Sequence, residues 1–502
     1  MLCVRNPSGS PSAGLRIAGC SEAGQNFPMP KTINVLFLAA EADPFIKVGG
    51  LGDVAGSLPA ALRSLSNDEF SVDVRLAIPF HPAMHIDGLR PLGMFNLIKG
   101  ETELQVETTE TTLKGVPVYL IGGDLIRLNG SVYSSDANLD AEKYAFFSLA
   151  ALEIPKQVDW FHHILHANDW HTALCLYGSL ARRWDGPGQH PAGLLSVHNL
   201  PFLGPEVGSI LEAYGIKVGH TDLPEWARTR PLPLGLWAAD AIVAVSPSYA
   251  EEIMTPEYGS GLNDFLQARR DRVSGIVNGL DVGAFDPAID DVLVAKFDST
   301  SLSSRSRNKL ELQKRLGFTQ NPDIPLVGMV SRMDVQKGVD LALSAIRSIK
   351  GNAFQAIILG TGDSQIEKKA QKLEADLPGK FKIETRFDAK LARQIYAGAD
   401  MLLMPSRYEP CGLSQMIAMR YGCVPVVRAV GGLKDTIQNE RTGFTFQKAH
   451  HLSLKQAMLK AFSVYAEKGR WVELQRAGME QDFSWAASAA RYLELYKTLL
   501  FK

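Results

Sequence analysis

The sequence predicts an α/β protein built from two doubly wound lobes. Three observations carry that prediction. Apolar strand-like runs alternate with helical stretches through the first half of the 502 residues. The same alternation resumes in the second half. Between the halves, a polar, serine-rich piece over about 298–307 reads as a boundary or hinge. A chain of this length has room for two to three domains, each with its own core. The facing carboxyl ends of two such sheets leave a cleft, where ligands of open parallel sheets bind.

The elements follow in order. Residues 1–28 are rich in Ser, Gly and Pro, with Arg5 and Arg16 against the single acid Glu22, and lack a signal-peptide core. They are expected to be a transit peptide or, more plainly, a disordered extension, with Met29 an alternative start. The run 33–40 is almost wholly apolar, as in a strand buried on both faces. It leads into Lys47-Val-Gly-Gly-Leu-Gly-Asp53. Val54, Leu58, Ala61, Leu62 and Leu65 then recur at the spacing of one helix. Further strands are expected at 72–78, 116–121, 164–167, 194–197 and 241–245, with helices such as 143–152 and 172–182 between them. In the second half, strands are expected at 326–330, 355–359, 400–404 and 424–427. Helices follow at 339–349, 416–421 and from near Lys434. The tail 483–500 is an amphipathic helix with Trp485, Ala489, Tyr492 and Tyr496 near one face. The expected divisions are 1–30 for the extension, 31–300 and 301–480 for the lobes, and 481–502 for the last helix.

Composition narrows the function. Hydrophobic content of 46% and charged content of 21% are ordinary for a globular protein. Net charge is −2, which gives no support to an electrostatic nucleic-acid binder. No apolar run approaches the ~20 residues that span a bilayer. The five cysteines, Cys3, Cys20, Cys175, Cys411 and Cys423, are odd in number and lack metal-ligand spacing. That favours a reducing compartment, the cytoplasm, or a plastid if residues 1–28 are a transit peptide. Asn129-Gly-Ser131 matches a glycosylation acceptor, but the compartment argues against its use.

Several polar stretches sit where strands end. Pro405-Ser-Arg-Tyr-Glu-Pro-Cys-Gly-Leu-Ser-Gln415 delivers Glu409 and a glycine turn to the tip of the second sheet. Taken alone, it reads equally well as a connection with a carboxylate near a helix start. Arg332 and Lys337 lie five apart after a strand, where two cations would neutralise a diphosphate, or form a solvated pair. Lys47-Val-Gly-Gly-Leu-Gly and Val430-Gly-Gly-Leu433 present main-chain N–H groups that suit phosphate, or are tight turns. His166-Ala-Asn-Asp169-Trp-His171 and His198-Asn199 have no zinc-ligand spacing, so no metal and no cofactor is expected. Asp169 and His198 suit sugar hydroxyls, whereas packing is preferred for His162, His163 and His171. Cys411 beside Glu409 lacks an activating base and reads as a small residue in a turn.

Together these segments resemble the bacterial glycogen synthase and plant starch synthase family of retaining glycosyltransferases. The resemblance also takes in Ala244-Val-Ser-Pro-Ser-Tyr249, Val277-Asn278-Gly279-Leu-Asp281, Gln336-Lys337-Gly338, Gly431-Gly432-Leu433-Lys-Asp435-Thr436 and Asp482-Phe-Ser-Trp485. Nine motifs keep the family order from about residue 33 to the end. The resemblance implies a GT-B fold, two Rossmann-like lobes with the C-terminal helix crossing back to the first. It implies ADP-glucose, or UDP-glucose, as donor and the non-reducing end of an α-1,4-glucan as acceptor, without nucleic acid or membrane. It leaves the oligomeric state open. It assigns the leaving diphosphate to Arg332 and Lys337, and closure over the phosphates to Lys47 with Gly49, Gly50 and Asp53. His198, Asp169, Asn278 and Glu409 would surround the glucose, with Gly412, Leu413, Gly431, Gly432, Leu433 and Thr436 along the donor. Phe387 takes the place of an aromatic next to the base.

The chain also departs from the family pattern. The stretch between His198 and Asp240 is short and reads Arg230-Pro-Leu-Pro-Leu-Gly235 where a Lys-Ala-Gly run is usual. His166-Ala-Asn stands for His-Ala-His. Ile417 occupies the place where many related transferases carry a second Glu, which agrees with the synthase branch. The alternatives are a retaining transferase with a small acceptor and a non-catalytic sugar-nucleotide binder on the same fold.

Overall fold

The computed structural model describes residues 32–500 except 68–69, 129, 185–189, 220 and 352. The extension 1–30, Cys3, Cys20 and Asn129 therefore lie outside the described residues. The chain forms one sheet of nine strands and one of six. In the first, β1 (Thr32–Leu38), β2 (Ser71–Pro79), β3 (Arg90–Lys99), β4 (Thr102–Leu113), β5 (Val116–Gly122), β6 (Ile164–Asn168), β7 (Ala192–Val197), β8 (Ala241–Ala244) and β9 (Val273–Gly275) lie in the order β3-β4-β5-β2-β1-β6-β7-β8-β9. In the second, β10 (Leu326–Val330), β11 (Gln355–Leu359), β12 (Phe381–Glu384), β13 (Met401–Met404), β14 (Val424–Arg428) and β15 (Phe444–Phe446) lie in the order β12-β11-β10-β13-β14-β15. All pairings in the second sheet are parallel.

Burial on both faces accounts for the apolar runs. Along β11, Ile357 and Leu359 join the core that continues into the first lobe, while Ala356 and Ile358 face the opposite cluster. A strand with helices on both sides has no solvated face to mark with polar residues.

Three details refine the expectations. The alternation of strands and helices is broken by β3 and β4, an antiparallel hairpin that extends the first sheet. Phe95 opposite Val106 and Leu97 opposite Leu104 face the core, whereas Glu103, Gln105 and Glu107 alternate with them. Such a half-solvated strand shows only alternation, diluted here by threonines. The single helix after the first glycine loop is two, Gly50–Ala55 and Leu58–Arg63. A Cβ at Gly56 would stand 2.2 Å from the Asp43 carbonyl oxygen, and Pro59 cannot continue the hydrogen-bond ladder. The polar segment 298–307 ends inside a helix, Arg305–Arg315. Arg305 is buried there, donating to the carbonyls of Tyr421 at 2.9 Å and Tyr396 at 3.1 Å.

The C-terminal helix Trp485–Leu500 crosses back to the first lobe. The Leu280 N–H donates to Phe483 C=O at 2.6 Å, and a Cβ at Gly279 would lie 2.5 Å from the Trp485 ring. Farther along, the buried His166 ring joins Tyr496 OH and Ser196 Oγ, each at 2.7 Å. His166 thus anchors this helix and does not face the cleft.

His162 and His171 pack as expected, against aromatic rings. Neither nitrogen of His162 has a hydrogen-bond partner among the described residues, and burial pushes its pKa down to about 4. Burial does the same for His81, with Lys143 adding to the effect. An unfolded histidine protonates near pH 6.5, so stability falls as pH drops from there toward 4. The slope is up to about 1.4 kcal/mol per pH unit for each ring. Urea midpoints measured from pH 7 to 5 should decline less steeply in His162→Phe; an unchanged slope would rule the ring out as a source.

Candidate active site

Both sheets reverse their strand order beside their first strand. β1 has β2 on one side and β6 on the other, and β10 has β11 and β13. A crevice opens at the carboxyl ends of such strand pairs. The segments that follow β1, β6, β10 and β13 carry Lys47, Asp169, Lys337 and Glu409.

The second-lobe half is the better ordered by contacts. Glu409 is 5% exposed, and its two oxygens lie 2.7 and 2.8 Å from Lys337 Nζ. Ser406 Oγ donates to the same carboxylate at 2.9 Å. These groups, with Arg332, Gly412 and Leu413, line a cavity of about 220 Å³. The Arg332 side chain is 70% exposed, 3.5 Å from Asp334, so its charge is open to the cleft. Gly431 has φ +45°, and a Cβ there would stand 2.0 Å from the Glu409 carbonyl oxygen. One at Gly432 would stand 2.1 Å from Cys411 O. Only glycine lets the second turn sit this close to the 409–411 main chain. Asn278 joins the group through its main-chain N–H at the Cys411 sulfur, with its own buried Oδ1 unpartnered among the described residues. Burial pushes the Cys411 thiol up to about 12, which removes it as a nucleophile.

In the first lobe, Asp169 begins the helix Asp169–Trp184 with φ +54°, a conformation aspartate rarely adopts. Its carboxylate accepts the His198 N–H at 2.7 Å and the Asn199 N–H at 3.3 Å. Burial raises the Asp169 pKa, opposed by His198 and these amides. Burial lowers that of His198, opposed by Asp169. Asn168 donates to Leu38 C=O, so its oxygen accepts His198 Nε2–H at 2.9 Å. The neutral ring then presents Nδ1 as an acceptor. The Lys47 ammonium lies 2.5 Å from Asp53, folded onto its own loop. Burial raises the Asp53 pKa against that pairing.

Two expected donor contacts are placed differently. Thr436 turns into the lobe, where its hydroxyl donates to Gly432 C=O at 2.6 Å and accepts from Gln415. The helix it belongs to starts at Gly431, three residues before Lys434, so Thr436 lies in its last turn. Phe387 is 89% exposed beyond β12 and outside the cavity around Glu409. Glu41 and Tyr133 were missed. Glu41 accepts the Val48 and Gly49 N–H groups of the first glycine loop and the Tyr133 hydroxyl, at 3.1 Å for the last two. A lone acid directly after a buried strand was the one signal for Glu41; Tyr133 gave none.

Fold and site define a two-lobed glycosyltransferase of the GT-B type. The starch synthase catalytic domain family matches residues 34–268, and the glycosyl transferases group 1 family matches residues 312–476. Glycogen synthase of Streptococcus sanguinis is 36% identical, covering 93% of this chain and 100% of its own. That of Kosmotoga olearia is 38% identical over 93% and 98%. The catalytic domain of starch synthase IV from Arabidopsis thaliana, solved bound to ADP and acarbose, superposes with a TM-score of 0.83 at 30% identity, over 94% of this chain and 100% of that one. Sucrose-phosphate synthase of Thermosynechococcus elongatus shares the fold, with a TM-score of 0.60 at 18% identity and 93% and 99% coverage. The chain belongs to the glycogen synthase and starch synthase family.

The Lys337–Glu409 pair sets a stability expectation. Lys337→Ala leaves a buried carboxylate with one hydroxyl partner, a cost of about 1–3 kcal/mol. Combining it with Glu409→Ala should recover about 1 kcal/mol or more relative to the sum of the single changes. Denaturant unfolding of the four proteins measures this; additive losses would deny the coupling.

Proposed function

We propose that the enzyme transfers glucose from ADP-glucose to the non-reducing end of an α-1,4-glucan with retention at the anomeric carbon. The observation that carries this reading is the buried Glu409 carboxylate, gripped by Lys337 beside Arg332 at the second switch point. The ADP and acarbose named for the Arabidopsis structure support the choice of donor and of a glucan-like acceptor.

In this reading, Arg332 and Lys337 neutralise the diphosphate as the bond to the anomeric carbon breaks. Negative charge grows on the leaving group, so fixed cations stabilise the transition state more than the ground state. The acceptor hydroxyl attacks the same face, forming the new glycosidic bond and passing its proton to the departing phosphate. Glu409 orients Lys337 and lies against the developing positive charge of the sugar. Asp169 and the acceptor nitrogen of His198 hold glucose hydroxyls. Lys47 exchanges Asp53 for phosphate when the lobes close and exclude water. The glucan approaches along a groove of about 430 Å³ that runs from Trp170 past the exposed Phe202 to Arg230. That groove includes part of the segment in which the sequence departs from its family. The free, buried thiols of Cys175, Cys411 and Cys423 suit a cytoplasmic setting.

Two measurements test the reading. Initial rates with ADP-glucose or UDP-glucose, each against glycogen, maltohexaose and a sugar phosphate, should favour ADP-glucose with the glucans. A preference for UDP-glucose or for the sugar phosphate would overturn it. Lys337→Ala and Glu409→Ala should each lower kcat by about 10²-fold or more while still melting cooperatively. Turnover near that of the wild type in either variant would remove its assigned role.

A further inference from the structure

The segment Ala244–Tyr249 belongs to the family pattern, yet the reaction as described uses none of it. In the structure it opens the helix Pro247–Glu252, which stays on β8 and β9 of the first sheet and also touches the helix Gly431–Thr436 of the second lobe. Ser246 Oγ donates to Pro410 C=O at 2.7 Å. Ser248 donates to Asp435 through N–H and Oγ, both at 2.7 Å. Tyr249 OH meets Tyr408 OH and also accepts the Leu200 N–H. At the end of the helix, Glu252 Oε1 accepts the Gly431 N–H at 2.8 Å.

That last contact reaches the chemistry by a short path. Gly431 heads the second glycine turn, and Gly432 N–H donates to the Glu409 carbonyl at 3.1 Å. The Glu409 side chain in turn holds Lys337. Glu252 therefore lies two hydrogen bonds from the main chain of Glu409, although it belongs to the other lobe. Its second oxygen is buried and has no hydrogen-bond partner among the described residues. Burial raises the Glu252 pKa, opposed by the Gly431 N–H, Arg428 and Lys434, while Asp435 adds to the rise.

We propose that Glu252 is a positioning residue for glucosyl transfer, holding the Gly431 amide so that the glycine turn and Glu409 share one register. The proposal rests on the reading of Glu409 and Gly431 as donor-site groups. Because Glu252 comes from the first lobe, its bond ties the second glycine turn to that lobe. The reach of the side chain matters, since the bond is to a single N–H; its charge matters less.

Reach and charge are separable. Glu252→Asp keeps the charge but is one methylene too short, Glu252→Gln keeps the reach and loses the charge, and Glu252→Ala loses both. The expected result is a kcat at least tenfold lower in Ala and Asp, with Gln within threefold of wild type and the glucan KM within twofold throughout. Amide exchange in the segment 429–434, followed by mass spectrometry, should be at least tenfold faster in Ala and Asp than in Gln. Asp matching wild type, or Gln failing as badly as Asp, overturns the proposal, and that comparison stands even if Ala does not fold. Should the wild type transfer no glucose at all, the functional reading fails, while the exchange rates still decide whether Glu252 sets the turn.

Discussion

The contact between Lys337 and Glu409 joins two loops that would otherwise be independent. A carboxylate taken out of water needs partners for both oxygens. Lys337 reaches both, and Ser406 adds a hydroxyl. The loops are then knitted along their length. Arg407 N–H donates to Gln336 C=O at 2.7 Å, and Gln336 Nε2 to Tyr408 C=O at 3.1 Å. Gly338 has φ +71°, and a Cβ there would be 2.3 Å from the Pro405 oxygen. The charged pair therefore sits on a scaffold in which neither loop shifts alone, as a preorganised electrostatic site requires.

The first lobe contributes less charge and more control of position. Its glycine loop is held from behind by Glu41, which fills the N–H groups at Val48 and Gly49. Tyr133 steadies Glu41, and buried Lys143 holds the carbonyl of Val132 next to it. Burial raises the Glu41 pKa against these hydrogen bonds. A carboxylate satisfied by its own loop keeps that stretch of main chain in one shape.

The parts legible in the sequence share a physical cause. Strands buried on both faces leave unbroken apolar runs, and a charged residue just past such a run stands out. Arg332, Lys337, Glu409 and Asp169 were visible for that reason. The β3–β4 hairpin was not, because a half-solvated strand rich in Thr and Glu lacks the run. Glu41 also follows such a run, but its bonds to the N–H groups of its own loop carry no residue pattern, and neither do the contacts of Tyr133 and Glu252. The Thr436 hydroxyl is taken up by Gly432 and Gln415 because its motif ends in a helix whose last turn faces inward. Proximity in sequence to Gly431 did not fix the direction of its side chain.

One six-residue segment shows why motif and site do not coincide. His166 and Asp169 belong to the same run, His166-Ala-Asn-Asp169-Trp-His171, yet they serve opposite sides of the sheet end. His166 is clamped between Tyr496 and Ser196 and so fixes the C-terminal helix to the first lobe. Asn168 and Asp169 turn toward His198 and set its ring and main chain. That same helix begins where Leu280 and Phe483 pair, at the two crossings between the lobes. The residues that shape the first-lobe wall of the cleft are therefore continuous with those that fix how the chain returns from the other lobe. A replacement at His166 would loosen the return path, and with it the spacing on which Glu252 and the second glycine turn depend.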